Sequence, residues 1–420
     1  MKHESFEESA SQPPQVGWQP ELEIEALRSA ADPCGGTSAE IAAESDLGNA
    51  PQAEALSMSS VWQMESLAAA DAALAATSKS YGYRRVEHPN ARTLAVKLAQ
   101  LHAAERTVVT AQGMSSVAAV ALANLHPGAR VWLSKELYGE TSQLFASSLR
   151  RWQVETEVFD PTSAEHVRKL ADASVDMVVV ETITNPRLHV CDIARLAQAT
   201  QQAGGLLVVD NTFATHLLCQ PLRLGADFVI ESLGKQVNGH SDGMLGFVGG
   251  RDTKRMVEVA NVVKTFGLTS SPLDCYLTHR GLMSLAVRME RVCANSMALA
   301  QLLAKLPIVR EVDYPGLPQH TDHDIARQQF TGGFGWMVTF RVDMDRSGVE
   351  RLLSALRPEI RFVPSLGDVC TTVSHPLSTS HRDSSPQVLA ALGITMGTLR
   401  VSCGIEPTEW LLECFRKAAS

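Results

Sequence analysis

Four short runs constrain this chain most: Arg130–Ser134, Asp176–Val180, Leu206–Val209 and Asp227–Ile230. Each is four or five residues long, dominated by Val, Leu and Ile, and bounded by turn formers or helical spacing. Runs this short and apolar suit strands buried on both faces. Before and between them lie stretches with helical periodicity. Ser115–Leu125 is stopped by His126-Pro127-Gly128, and Asp192–Ala203 by Gly204-Gly205. Leu94–Leu101 carries the same spacing earlier. Strands alternating with helices predict βαβ units and a mostly parallel sheet. Ligands of such sheets bind at the carboxyl ends of the strands.

The flanks differ. Residues 1–55 are rich in Glu, Ser, Pro and Gly and read as an extension, helical around Glu21–Ala31 and loose elsewhere. Residues 56–87 read as an arm and 88–285 as a large domain. A long helical stretch starts near Gly281 and runs to Leu306, opening a smaller α+β domain over 286–420 that includes the glycine-rich run Gly332–Arg341.

Several function classes are disfavoured. Net charge is −9 and no basic run is long enough to make a patch, so nucleic acid and anionic membrane are poor partners. No apolar run approaches the roughly 20 residues of a membrane span. The eight cysteines include no CxxC pair, so metal and redox motifs are unsupported and buried thiols in a reducing compartment are expected. A cytoplasmic setting is the expectation, with no metal.

The chemistry is suggested by two residues. Asp210 ends one apolar run, and Lys235 lies in a Ser/Gly loop after the next. A lysine amine and an acidic partner just past buried strands suit a carbonyl cofactor, with the amine forming a Schiff base to pyridoxal phosphate and Asp210 keeping its ring nitrogen protonated. In isolation each residue has a plainer reading: a solvated lysine and a helix or turn cap.

Further segments remove that ambiguity. They are Tyr81–Arg85, Gln112-Gly113-Met114, Leu137-Tyr138-Gly139, Glu181–Pro186, Asp210–Ala214, Lys235 with Gly239–Asp242, Ser365–Gly367, His375-Pro376 and Leu399–Glu406. In this order, the chain from about Ala55 resembles the pyridoxal-phosphate (PLP) enzymes of cysteine and methionine metabolism. That family includes the cystathionine synthases and lyases, methionine γ-lyase and the homoserine-ester sulfhydrylases.

The resemblance implies PLP fold type I, the aspartate-aminotransferase-like α/β architecture. It implies Lys235 as Schiff-base lysine and proton shuttle, Asp210 at the ring nitrogen, and Tyr138 stacked on the ring and moving protons. Gly113, Met114 and Ser232 would hold the phosphate, Asn185 the 3-oxygen, and Thr212 the ring's opposite face. Tyr83 and Arg85 would reach a neighbouring subunit's phosphate, which implies a homodimer at least and, by family habit, a homotetramer. Arg400 would clamp the substrate carboxylate, with Ser365 nearby.

The chain also departs from the family pattern. His88-Pro89-Asn90 replaces Asn-Pro-Thr, and Gly234-Lys235-Gln236 replaces Thr-Lys-Tyr, which removes a phosphate hydroxyl. Pro364 stands where cystathionine-handling members often carry Glu, and Glu140 stands where methionine γ-lyases carry Cys. The expected reaction is β- or γ-elimination on a sulfur-containing amino acid. γ-Replacement on an acyl-homoserine substrate is a second reading, and a non-catalytic homologue a third.

Overall fold

The computed structural model describes residues 53–74, 80–382 and 384–420. The expected extension over 1–55, with its helix at Glu21–Ala31, lies almost wholly outside the described residues.

Seven strands form the first sheet: β1 (Arg106–Thr110), β2 (Arg130–Ser134), β3 (Glu155–Phe159), β4 (Met177–Glu181), β5 (Leu206–Asp210), β6 (Phe228–Ser232) and β7 (Gly246–Gly250). Their order is β1-β7-β6-β5-β4-β2-β3. From β3 to β6 every pairing is parallel, as the alternating pattern predicts. β7 breaks the pattern, pairing antiparallel with both β6 and β1. Its sequence, Gly-Phe-Val-Gly-Gly, lacks the β-branched run that marks the others. It is nonetheless wholly buried, because its glycines let neighbouring chains close over it.

Local chemistry sets the helix ends. The Asp192 carboxylate caps Ile193–Gln202 by accepting the Arg195 N–H at 3.0 Å. Helix Pro89–His102 starts with proline, its His88 Nδ1 accepting the Ala91 N–H at 3.3 Å. The long helix expected from about Gly281 to Leu306 is Leu285–Leu303, and Gly281 and Leu282 instead close the preceding helix Pro272–Leu282.

The second sheet holds β8 (Val309–Asp313), β9 (Met337–Val342), β10 (Arg361–Phe362), β11 (Thr372–Ser374) and β12 (Thr398–Ser402), in the order β10-β11-β12-β9-β8. Only β10–β11 is parallel. One hydrophobic cluster joins this sheet to the helices Leu285–Leu303, Arg346–Leu356 and Thr408–Ala419. Two more fill the faces of the first sheet. Among the described residues, no helix is long and apolar enough to cross a membrane.

Candidate active site

A cavity of about 470 Å³ lies at the carboxyl ends of β4, β5 and β6, where loops of the second sheet meet the first. Its lining includes Gly113, Met114, Tyr138, Asn185, Asp210, Thr212, Ser232, Lys235, Ser365 and Arg400. Ten of the twelve residues singled out from sequence therefore meet in one place. The other two, Tyr83 and Arg85, lie elsewhere: Arg85 donates to the Lys264 carbonyl at 2.9 Å and sits 5.2 Å over the Tyr83 ring.

The floor comes from strand ends. β4 and β5 run in register with Glu181 beside Asp210, so two carboxyl side chains lie next to one another. Burial raises the Asp210 pKa, and the Thr212 N–H at 2.9 Å and hydroxyl at 2.5 Å oppose that rise. Thr212 Oγ1 also accepts the Ser232 N–H at 2.9 Å, joining the ends of β5 and β6. A deep carboxyl group that pays for its burial in this way is stabilised by any cation placed against it.

One end of the cavity is a helix N-terminus. Helix Gly113–Asn124 begins after Gln112, whose side chain makes no capping bond, leaving the first backbone N–H groups for a ligand. Gly113 is required here by space: a Cβ would lie 2.9 Å from Ser232 Cβ.

Lys235 follows β6, and its Nζ donates to Ser365 Oγ at 3.0 Å. Burial, then the charge of Arg400, lowers its pKa, which favours the neutral, nucleophilic amine. The departures beside it have structural explanations. A Cβ at Gly234 would stand 2.7 Å from the Gly243 carbonyl oxygen, so a threonine there has no room with the Asp242–Met244 turn in place. Gln236 turns away from the cavity. Arg288 Nη1 donates to its carbonyl at 2.6 Å and to its Oε1 at 3.1 Å, while Nη2 holds the carbonyls of Val237 and Gly281 at 3.1 and 2.8 Å. The loop after Lys235 is thus tied down by one buried guanidinium.

Opposite, Arg400 is 1% exposed on β12. Its Nε donates to Ser374 Oγ at 3.2 Å and its Nη1 to Asn185 Oδ1. Burial lowers its pKa to about 10, so it stays a cation at neutral pH. Tyr138 is 41% exposed at the mouth, its pKa raised by burial and then by Glu140.

Glu181 had no role in the sequence reading, although it stands inside a quoted motif. It is 7% exposed, and its Oε1 accepts the Tyr138 backbone N–H at 2.6 Å. The available signal was a single acid ending an otherwise all-apolar strand.

These groups fit pyridoxal phosphate: free helix N–H groups beside Ser232 for a phosphate, a buried carboxyl for a ring cation, a desolvated amine for a carbonyl carbon, and a spare arginine for a carboxylate. Comparisons with known proteins agree. Residues 38–419 match the Cys/Met metabolism PLP-dependent enzyme family. An O-succinylhomoserine sulfhydrylase of Pseudomonas aeruginosa is 36% identical over 356 residues, covering 85% of this chain and 88% of that one. The cystathionine γ-synthase of Escherichia coli K12 is 34% identical, covering 80% and 86%. A crystal structure of cystathionine γ-synthase from Xanthomonas oryzae pv. oryzae in complex with cystathionine superposes with a TM-score of 0.86 at 31% identity, covering 95% of this chain and 97% of that one. With cavity, fold and kinship in agreement, this chain belongs to the PLP-dependent enzymes of cysteine and methionine metabolism.

Proposed function

We propose that the protein is a carbon–sulfur lyase of the transsulfuration group, acting by β- or γ-elimination on a sulfur-containing amino acid. The observation that carries this reading is the placing of Lys235 and Arg400 on facing walls of one cavity. The amine can move protons at the substrate's α and β carbons while the guanidinium orients its carboxylate.

Pyridoxal phosphate, when bound, supplies an electron sink that acidifies the substrate's Cα–H bond. The N–H groups of Gly113 and Met114, with Ser232, would hold its phosphate. Asp210 would pair with its ring nitrogen, Asn185 would hydrogen-bond its 3-oxygen, and Tyr138 and Thr212 would pack against its ring. Lys235 would take the proton from Cα and, for γ chemistry, would pass that proton to the bound cofactor before taking a second from Cβ, so that the amine carries one abstracted proton at a time. The Tyr138 hydroxyl or the Lys235 ammonium then protonates the departing sulfur. Tyr83 and Arg85 act on the phosphate of a neighbouring subunit, which makes the working unit a homodimer or a dimer of dimers. In support, both residues lie outside their own chain's cavity and Tyr83 is 41% exposed. A cytoplasmic setting accords with the free thiols among the described cysteines.

A second reading is γ-replacement on an acylated homoserine, favoured by the 36% identity to an O-succinylhomoserine sulfhydrylase. The two separate by product. Cystathionine, cysteine and methionine are tested for release of keto acid and ammonia. Homoserine esters are tested with cysteine or sulfide for cystathionine or homocysteine by mass. The lyase reading expects keto acid from at least one thioether or thiol. Cystathionine or homocysteine formed from the ester, with no keto acid from any substrate, overturns it.

A further inference from the structure

Glu181 is the carboxyl group in the cavity wall that the chemistry above does not use. It ends β4, faces Asp210 across the β4–β5 pairing, and is almost fully buried. Its Oε1 takes the Tyr138 N–H at 2.6 Å, at the point where the chain leaves β2 and enters helix Gly139–Gln143. The backbone N–H of Asn185 lowers the pKa of the same carboxyl. The Glu181 side chain thus ties the end of β4 to the loop after β2 that carries Tyr138.

We propose that Glu181 is a positioning residue that fixes the Tyr138 backbone, and with it the Tyr138 ring, beside the bound cofactor. This deepens the functional reading above and depends on cofactor binding, but not on which substrate is used. Its neighbours set its electrostatics. Burial, and then repulsion from Asp210, push its pKa well above the carboxylate range; Glu136 acts in the same sense, and the two backbone N–H groups oppose. The Arg400 guanidinium and the buried Cys191 thiol also feel the Glu181 carboxyl. Its Oε1 accepts the Tyr138 N–H, and a side-chain amide of the same length offers the same acceptor. Reach is therefore what matters at position 181, rather than charge.

The test compares Glu181→Gln, which keeps length and the accepting oxygen, with Glu181→Asp, which keeps the acid but withdraws it by one methylene. Two properties of PLP-loaded protein are read. The first is the circular dichroism of the visible cofactor band without substrate, which reports the setting of the ring. The second is kcat and KM on the best substrate. The expected result is that Glu181→Gln keeps the sign and most of the amplitude of the band, and most of kcat. Glu181→Asp should diminish the band and lower kcat by roughly 10- to 100-fold, the scale of a misplaced catalytic group, with KM little moved. In a Tyr138→Phe background the Glu181→Asp loss should shrink, because both changes act through one ring. The idea is overturned if Glu181→Asp matches wild type in the dichroism, if Gln is impaired as severely as Asp, or if the double variant shows the full product of both losses. The dichroism requires no turnover, so a mistaken substrate assignment leaves this test intact.

Discussion

The two walls of the cavity are built differently. The wall from the seven-stranded sheet places its groups on loops just past strand ends: Gly113, Tyr138, Asn185 and Lys235 all follow a strand, and Asp210 is the last residue of one. The wall from the five-stranded sheet places Arg400 in the middle of β12, paired on one side with Ser374 of β11 and on the other with Thr339 of β9. A mid-strand residue has its backbone fixed by two neighbours. A loop residue does not, and here each loop carries a buried polar tie: Glu181 behind Tyr138, Thr212 between β5 and β6, and Arg288 behind Lys235. In the proposed reading, the cofactor side is adjustable chemistry on restrained loops, and the substrate side a fixed clamp on a sheet.

Breaking the cofactor side at its centre has the largest effect. Lys235→Ala should abolish the visible absorption of the bound cofactor and lower kcat/KM by at least about 10³-fold, as removal of a central nucleophile does. Absorption spectra and single-turnover rates measure both. A variant retaining the band would remove Lys235 from its assigned role. Next comes the tie behind it. Arg288→Met strips donors from four acceptors on the Lys235 loop and Gly281, and buried polar groups left bare cost roughly 1–3 kcal/mol each. Thermal unfolding should drop clearly and PLP should wash out on dialysis, while a fully saturated sample keeps Arg400-dependent substrate affinity.

The clamp should fail in another way. Arg400→Lys keeps the charge but loses the planar fork. With a charged hydrogen bond worth roughly 1.5–3 kcal/mol, KM should rise about 10- to 100-fold while the cofactor spectrum stays as in wild type. If the spectrum moves as much as KM, the division between the two walls is wrong.

Much of this architecture was legible in the chain, for a physical reason. Strands buried on both faces must be almost purely apolar, so the runs at 130, 177, 206 and 228 announce themselves, and polar residues just past them are conspicuous. β7 was not legible, because three of its five residues are glycine and its burial depends on what closes over it. The ties were hidden too. Arg288 acts on residues 52 positions away in sequence, and the clash between a side chain at 234 and the Gly243 carbonyl exists only once both turns are folded. For the same reason Gly234 and Gln236, which look from sequence like losses at the cofactor, turn out to be one fitted to a neighbouring turn and the other part of the anchor.

The smallest effect probes where the walls touch. Lys235 Nζ bonds Ser365 Oγ at 3.0 Å, the direct hydrogen bond from the catalytic amine to the substrate-side loop. A net hydrogen bond of this kind is worth roughly 0.5–1.5 kcal/mol, so Ser365→Ala should change kcat only about 2- to 10-fold. Its direction is informative. Ser365 bonds the amine rather than Arg400, so its loss should act on kcat and leave KM for the carboxylate to Arg400. A KM rise comparable to that of Arg400→Lys would instead make Ser365 part of the clamp, and the boundary between the two walls would then run through Lys235 itself.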